Sequence, residues 1–402
     1  MRQLRLDLAE GDPTDLNASD SPTGRTLMNA TEMNRAAAIR FIEAFNTAAW
    51  DDLPAVVAAD FVLHHPMGGT MRLGPEGMRQ VWAHFKAALP DSWHPIPVMI
   101  AEGDYEANLL PTYGNFTGDP HQGIAPTGQW LEYGMVNIVR LEGGKLVEGW
   151  FGMDPLVELQ QMGAEPSPPP RTLSAQEQET LALFQETINT SGLEYDNLTA
   201  FGDVVVALGP PQHAEDTKVR TLEIYRLEDG ALSLVRSHEF PTIPPYAGGS
   251  FVDSEASRAV VTRFFDEVFI AHDLGALAEL ASPDILIHPA AMPCEAGYYG
   301  VAGAGRWLRS SWDAFPDLTV SDYSTVAQGD IVAVRWSARG TSTGNFLMLP
   351  PTGEVVEYSG VSMYRIEDDK IAEIWDTRNT LGIMLQLNPD LAAGSMLHQA
   401  AV

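Results

Sequence analysis

Cysteine and positive charge are both scarce in this chain. Cys294 is the single cysteine in 402 residues, which excludes an intrachain disulfide and any metal site built from several thiolates. Such sparing use of cysteine fits a reducing, cytoplasmic setting. Lysine and arginine number 24 against 54 aspartates and glutamates, for a formal net charge of −30. A surface of that sign repels nucleic acid and anionic membrane, so neither is expected as a partner. No apolar run approaches the ~18 residues of a spanning helix. No His-Glu-x-x-His spacing marks a metal site, and no phosphate-binding loop is found. Residues 1–30 are polar and have no apolar stretch of the signal-peptide kind, so they are expected to form a disordered tail.

What the chain does have is internal repetition. A Gly-Asp pair opens a strand three times, at Gly103-Asp104, Gly202-Asp203 and Gly329-Asp330. An Arg-Leu/Ile-Glu strand end with a turn follows each, at Arg140, Arg226 and Arg365. The outer copies share more: Gly-x-x-Gly at Gly74/Gly77 and Gly300/Gly303, Pro-Thr-Gly at 126–128 and 351–353, His-Pro at His65-Pro66 and His288-Pro289, and a late Trp150 and Trp375. From the second glycine to the Gly-Asp pair is 26 residues in both. These ordered landmarks define two full domains, 33–163 and 254–388. The middle segment, 171–245, keeps the Gly-Asp pair and the turn at a separation of 24, against 37 and 36 outside, and is expected to be a truncated repeat. Pro166–Pro170 and the Pro/Gly-rich stretch 241–249 are the expected joints.

Within one full copy the pattern runs from helix to sheet. Ile39, Ile42 and Phe45, and Val261, Phe264 and Val268, form apolar stripes at helical period. A short helix, a strand ending in His-Pro and a third helix follow, and strands close the copy. The expected fold is α+β: tandem cone-shaped domains, each a curved antiparallel sheet packed on three helices with a pocket between the layers.

The order His-Pro, Gly-x-x-Gly, Phe315-Pro316-Asp317, Gly329–Trp336, Gly340–Phe346, Pro-Thr-Gly and a Trp before a Leu-rich helix resembles the SnoaL-like polyketide cyclases of the nuclear transport factor 2-like superfamily. The resemblance covers both outer copies almost end to end. It implies an apolar cone that holds a carboxylate as acid/base, works without metal or organic cofactor, and takes a hydrophobic, carbonyl-containing small molecule such as a polyketide. It also implies pairing of domains through their sheets, here as an internal pseudo-dimer in a monomer or homodimer. The superfamily also contains epoxide hydrolases and non-catalytic binding or scaffold domains, so both remain alternatives.

The typical carboxylate follows the late tryptophan. In the first copy this is Asp154; in the last it is Asn379, which cannot carry a proton, leaving Asp376 as the substitute. Burial in a cone raises a carboxylate pKa and suits it to abstract a proton from an activated C–H. Asp154 is the expected base, and it also suits a helix cap ahead of Pro155; the two roles are compatible. His64 and His65 point to opposite strand faces, and either is a candidate donor. His288, placed by its His-Pro at the position of His65, is the matching candidate, or else a satisfied pocket-wall residue. Trp150, Trp375, Tyr133, Tyr358 and Asn379 are expected to line the pockets. Arg335 is expected to bind an oxyanion, or to lie on a solvated sheet face with Arg339.

Overall fold

The computed structural model describes residues 30–66, 69–164, 174–191, 195, 197–201, 203–209, 220–228, 231–240, 254–290, 298–347 and 349–389. Of the expected tail (residues 1–30), Ala30 belongs to the first helix and the rest lies outside the described residues, as do the two expected joints, Pro166–Pro170 and 241–249.

The N-terminal copy runs α1 (Ala30–Asn46), α2 (Leu53–Val56), β1 (Val57–His65), β2 (Gly69–Arg72), α3 (Gly74–Ala88), β3 (Val98–Glu102), β4 (Tyr105–Asn115), β5 (Trp130–Glu142), β6 (Lys145–Gly152) and α4 (Pro155–Met162). The middle segment contributes α5 (Ala175–Ser191), β7 (Asn197–Phe201), β8 (Val204–Gly209), β9 (Arg220–Glu228) and β10 (Ala231–Phe240). In the C-terminal copy come α6 (Ser254–Arg263), a π-helical continuation (Phe264–Ile270), α7 (Leu274–Leu280), β11 (Ala281–Pro289), β12 (Tyr298–Tyr299), α8 (Gly300–Trp312), β13 (Thr319–Gln328), β14 (Ile331–Thr341), β15 (Val355–Glu367), β16 (Lys370–Arg378) and α9 (Thr380–Leu387).

The two full copies have the same six-stranded order, β2-β1-β6-β5-β4-β3 and β12-β11-β16-β15-β14-β13. The sheets are mixed rather than wholly antiparallel, because β1 runs parallel to β6, and β11 to β16. The chain reaches those neighbours through helix α3 or α8 and not through a tight turn, so nothing forces the strands to oppose. The middle segment forms a four-stranded sheet, β10-β9-β8-β7, with Phe184 of α5 buried against it.

Local chemistry explains the landmarks. Gly74 has φ +58°, and a Cβ there would lie 2.5 Å from the Ala59 carbonyl oxygen, so this helix start tolerates no side chain. Asp154, Asp273 and Asn379 cap α4, α7 and α9 with their side chains. Ser174 and Glu177 exchange reciprocal bonds at the start of α5, at 2.8 and 3.3 Å.

The two full copies meet through the sheet faces turned away from their helices. Val98, Ile100, Leu109 and Val136 share one buried cluster with Val326, Ile331, Met363 and Trp375. Glu102 ties the edge: it accepts from the backbone N–H of Ala327 at 2.9 Å and from Arg258 at 2.5 Å. Strand alternation therefore divides each sheet, with one face toward the other copy and one toward its own helices.

Candidate active site

In the N-terminal copy the helices and the inner sheet face do not close on each other. A cavity of about 440 Å³ opens between α3, the loop after β4 and the inner ends of β5 and β6. Met78, Trp82 and Phe85 of α3 face Tyr133, Met135, Phe151 and Met153 across it, with exposed Gln80, Val81 and His84 at the rim. A smaller pocket deeper in the same cone shares Trp82, His94 and Phe151 with it and is lined also by Phe41, Ile42, Glu106, Asn108 and Asn137. The volume and apolar lining are those of a site for a small organic molecule.

The polar groups in this cone are few and strongly perturbed. Glu158, on the inward stripe of α4 with Pro155 and Met162, is 2% exposed. Burial pushes its carboxyl up to about 7, and the neighbouring Tyr133 hydroxyl partly offsets this. His121 Nε2 lies 3.6 Å from Glu158 Oε1. Burial lowers the imidazoles of His121 and His65 to about 4 and that of His94 to about 3, so all three are neutral at pH 7. At the base, burial raises Glu106 to about 8. Asn108 donates to both Glu106 oxygens, at 3.0 and 2.9 Å, and accepts from Asn137 at 3.1 Å. At neutral pH the cone thus holds a half-ionised carboxyl, a protonated carboxyl, neutral imidazoles and a phenol. That set can accept a proton from carbon and donate one to oxygen. Among the described residues no group of three or more His, Cys, Asp or Glu is clustered as for a metal ion.

Of the residues singled out in the sequence, His65 and Tyr133 lie in this cone. Asp154 is not among the residues lining it. Its Oδ1 accepts from Leu156 N at 3.1 Å as the α4 cap, and its Oδ2 accepts from Thr380 of the C-terminal copy at 2.5 Å. Burial raises it to about 6, against those two hydrogen bonds and Arg378. Asn379, its counterpart, caps α9 and donates to the Pro66 carbonyl at 3.0 Å.

Trp150 and Trp375 lie on the sheet faces between the copies, where Trp150 lines a cavity at the junction and Trp375 is buried, because strand alternation gives the positions facing the cones to Phe151 and Asp376. His288 is also reassigned. Sheet register sets it beside Trp375 as His64 is set beside Trp150, so its counterpart is His64 and not His65. A one-residue offset in a strand exchanges its faces, and the His-Pro landmark carries that offset. His64 binds Glu148 at 2.9 Å and His288 binds Glu373 at 2.8 Å, and Arg140 or Arg365 completes each set. Both imidazoles stack on their tryptophans, at 5.2 and 5.5 Å. The same triad in both copies marks it as sheet architecture.

Among the described residues, core side chains fill the cone of the C-terminal copy. Trp307, Trp336, Phe315, Tyr358 and Tyr364 belong to a single core cluster there. Among them Arg378 pairs with Asp376 at 2.6 Å, donates to Ser311 at 2.7 Å and lies over Trp307 at 5.6 Å. Asp376 accepts in turn from Ser362 at 2.8 Å. Arg335 stands at the junction of the copies, its guanidinium 4.9 Å from the Trp150 ring.

Glu158, Glu106, His121 and His94 were not singled out from sequence. A signal was present for two of them. Glu158 shares its helical stripe with Pro155 and Met162, and Glu106 shares its strand face with Asn108 and Leu110.

Solved structures similar to this chain are each the size of one copy. One is described as a SnoaL-like polyketide cyclase from Jannaschia sp. CCS1, with 23% identity, 35% of this chain and 97% of that chain covered, and a TM-score of 0.32. IdmH from Streptomyces antibioticus, described as a polyketide cyclase, gives 31% identity, 33% and 97% coverage and a TM-score of 0.30. AclR from Streptomyces galilaeus, described as a hydroxylase, gives 26%, 34% and 98%, and 0.31. No curated protein sequence matches the chain. The family model for SnoaL-like polyketide cyclases matches residues 36–162 and 259–387, together more than half of the sequence. With two such matches on two copies of one α+β fold, the chain belongs to the SnoaL-like polyketide cyclase family as a tandem repeat.

Proposed function

We propose that the N-terminal copy is a cofactor-independent acid/base enzyme of the cyclase or isomerase type, acting on a hydrophobic, carbonyl-containing small molecule such as a polyketide. The observation that carries this is Glu158, a buried carboxyl with its pKa near neutrality, in an open apolar cone beside His121 and Tyr133. Glu158 takes the proton from the activated carbon. Tyr133, His65 and the protonated Glu106 are the groups available to the developing enolate oxygen. Apolar walls keep water from quenching it. Asp154 acts through α4: it fixes the helix that carries Glu158.

The test is turnover of a panel of β-dicarbonyl and polyketide-like substrates, chosen from whatever co-purifies with the protein by mass spectrometry. Glu158→Gln lowers turnover by about two to four orders of magnitude, whereas Asp154→Asn, which keeps the cap, costs little. The reverse ranking returns the base to Asp154. Turnover rises with pH as Glu158 ionises near 7 and falls again above about 8 as Glu106 does, if both forms are required.

For the C-terminal copy the filled cone favours a scaffold role. The middle segment fits a truncated repeat: its helix and its β10-β9-β8-β7 order match α1 and β6-β5-β4-β3, without the unit formed by β1, β2 and α3.

A further inference from the structure

Where the copies meet, the sheets part around a second cavity, about 350 Å³ in volume and distinct from the cone. Arg335, Arg378, His64 and His65 line it, and among the described residues no aspartate or glutamate does. That runs against a composition of 54 acidic and 24 basic residues. The carboxylates paired with three of these side chains sit behind them: Glu148 on His64, Asp376 on Arg378 and Asp322 on Arg335. The Arg378 guanidinium is committed to Asp376 and Ser311. Arg335 is held more loosely, to the exposed Asp322 at 3.2 Å and Ser324 at 3.4 Å. Exposed pairs of that kind are weak and give way to a better-placed anion.

The pseudo-symmetry of the two copies sharpens this. Counted from the Gly-Asp turns, Arg335 and Ser337 stand where the N-terminal copy has Leu109 and Pro111. Ser359 stands where it has Gly134, and Thr377 where it has Gly152. At the mirror position Leu109 packs with Trp375 in the buried cluster, and Gly134 donates to the Ala290 carbonyl at 3.3 Å. The polar set is therefore found at the end of the junction that opens.

The geometry points to a second binding site at this junction, for a small molecule bearing an oxyanion, carboxylate or phosphate, held by the Arg335 guanidinium with the Ser337 and Ser359 hydroxyls beside it. Charge-assisted bonds to a planar guanidinium give such a site both strength and direction. His65, Phe151 and Met153 line both this cavity and the cone, so its occupant bears on the back of the cone wall.

Full-length protein is titrated with benzoate and, separately, with inorganic phosphate at fixed ionic strength, with chloride as control, and the thermal midpoint is followed. A saturable rise with at least one oxyanion and none with chloride is expected, and the responding anion identifies the preferred chemistry. Arg335→Leu, which installs the N-terminal copy's residue, weakens the apparent affinity at least about tenfold. Ser359→Glu, which places a carboxylate at the exposed rim, does the same and covers a folding defect in the first variant. Absence of a saturable response to both anions, or an unchanged response in both variants, overturns the site. Binding of uncharged 2-naphthol to the cone, read by its fluorescence, is unaffected by Arg335→Leu, so failure at the junction is seen separately from failure of the cone.

Discussion

The two full copies have the same helices and the same strand order, yet one cone is open and the other is solid. Position by position, Val81, Leu110, Phe151 and Met153 of the open cone are replaced by Trp307, Trp336, Asp376 and Arg378. The buried polar groups of the open cone are replaced as well. Glu106, Asn108, His121 and Glu158 give way to Val332, Val334, Phe346 and Ile383. The frame rests on turns, caps and the sheet–sheet seam, which both copies keep. The interior is free to change once those are fixed, so one frame supports either an open cavity or a packed core.

The largest effect on stability is expected at the plug. Arg378→Met leaves Asp376 buried beside Ser362 without its cation and costs ~3–5 kcal/mol, read by chemical denaturation. Adding Asp376→Phe removes both charges and recovers most of that loss. If single and double variants lose equally, the plug is not an ion-pair device.

A smaller effect distinguishes the copies by pH. Glu158 and Glu106 have folded pKa values of about 7 and about 8, above the ordinary 4.5. The folded N-terminal copy therefore keeps protons that the unfolded chain has released. Their contribution is complete below pH 4.5 and is lost as pH rises through 7 and 8. His65, His94 and His121 act in the opposite sense: their contribution is present above 6.5 and lost as pH falls toward 4 and 3. Val332, Phe346 and Ile383 do not titrate. With the two effects partly offsetting, amide exchange in β4 and β5 should show a net loss on the order of 1–2 kcal/mol of protection relative to β14 and β15 between pH 6 and 9. A uniform response along the chain would erase the distinction.

The smallest effect lies between the copies. Thr380→Val removes the donor to Asp154 Oδ2 and costs about 1 kcal/mol, with a matching loss of protection at the start of α4. No change there would mean that the C-terminal copy does not hold the helix carrying Glu158.

Much of the fold was legible because its signals are local. Gly74 and Gly300 require a positive φ, Asp154 precedes a proline, and in both full copies the Gly-Asp turn follows the second glycine of Gly-x-x-Gly by 26 residues. The family's motif order gave the cone. The site was less legible because the motif names a position in the chain and not the direction of its side chain. Asp154 occupies the family position, but its carboxylate is taken by the α4 backbone and by Thr380, a partner more than two hundred residues away. The His-Pro landmark was in error by one residue, and in a strand that changes the face. Glu158 was hidden in the Leu-Gln-Gln stretch, where helical period alone marks it as inward.

The seam between the sheets has one more consequence. Gly152 lies so close to Thr377 that a Cβ there would come within 2.5 Å of its hydroxyl. In a homodimer with twofold symmetry, every mutation at such a contact appears twice, and both half-interfaces must accept it. Here the halves are encoded separately, so Thr377 can enlarge while Gly152 stays small. A fused pair escapes the veto that symmetry places on each substitution and can specialise one half at a time.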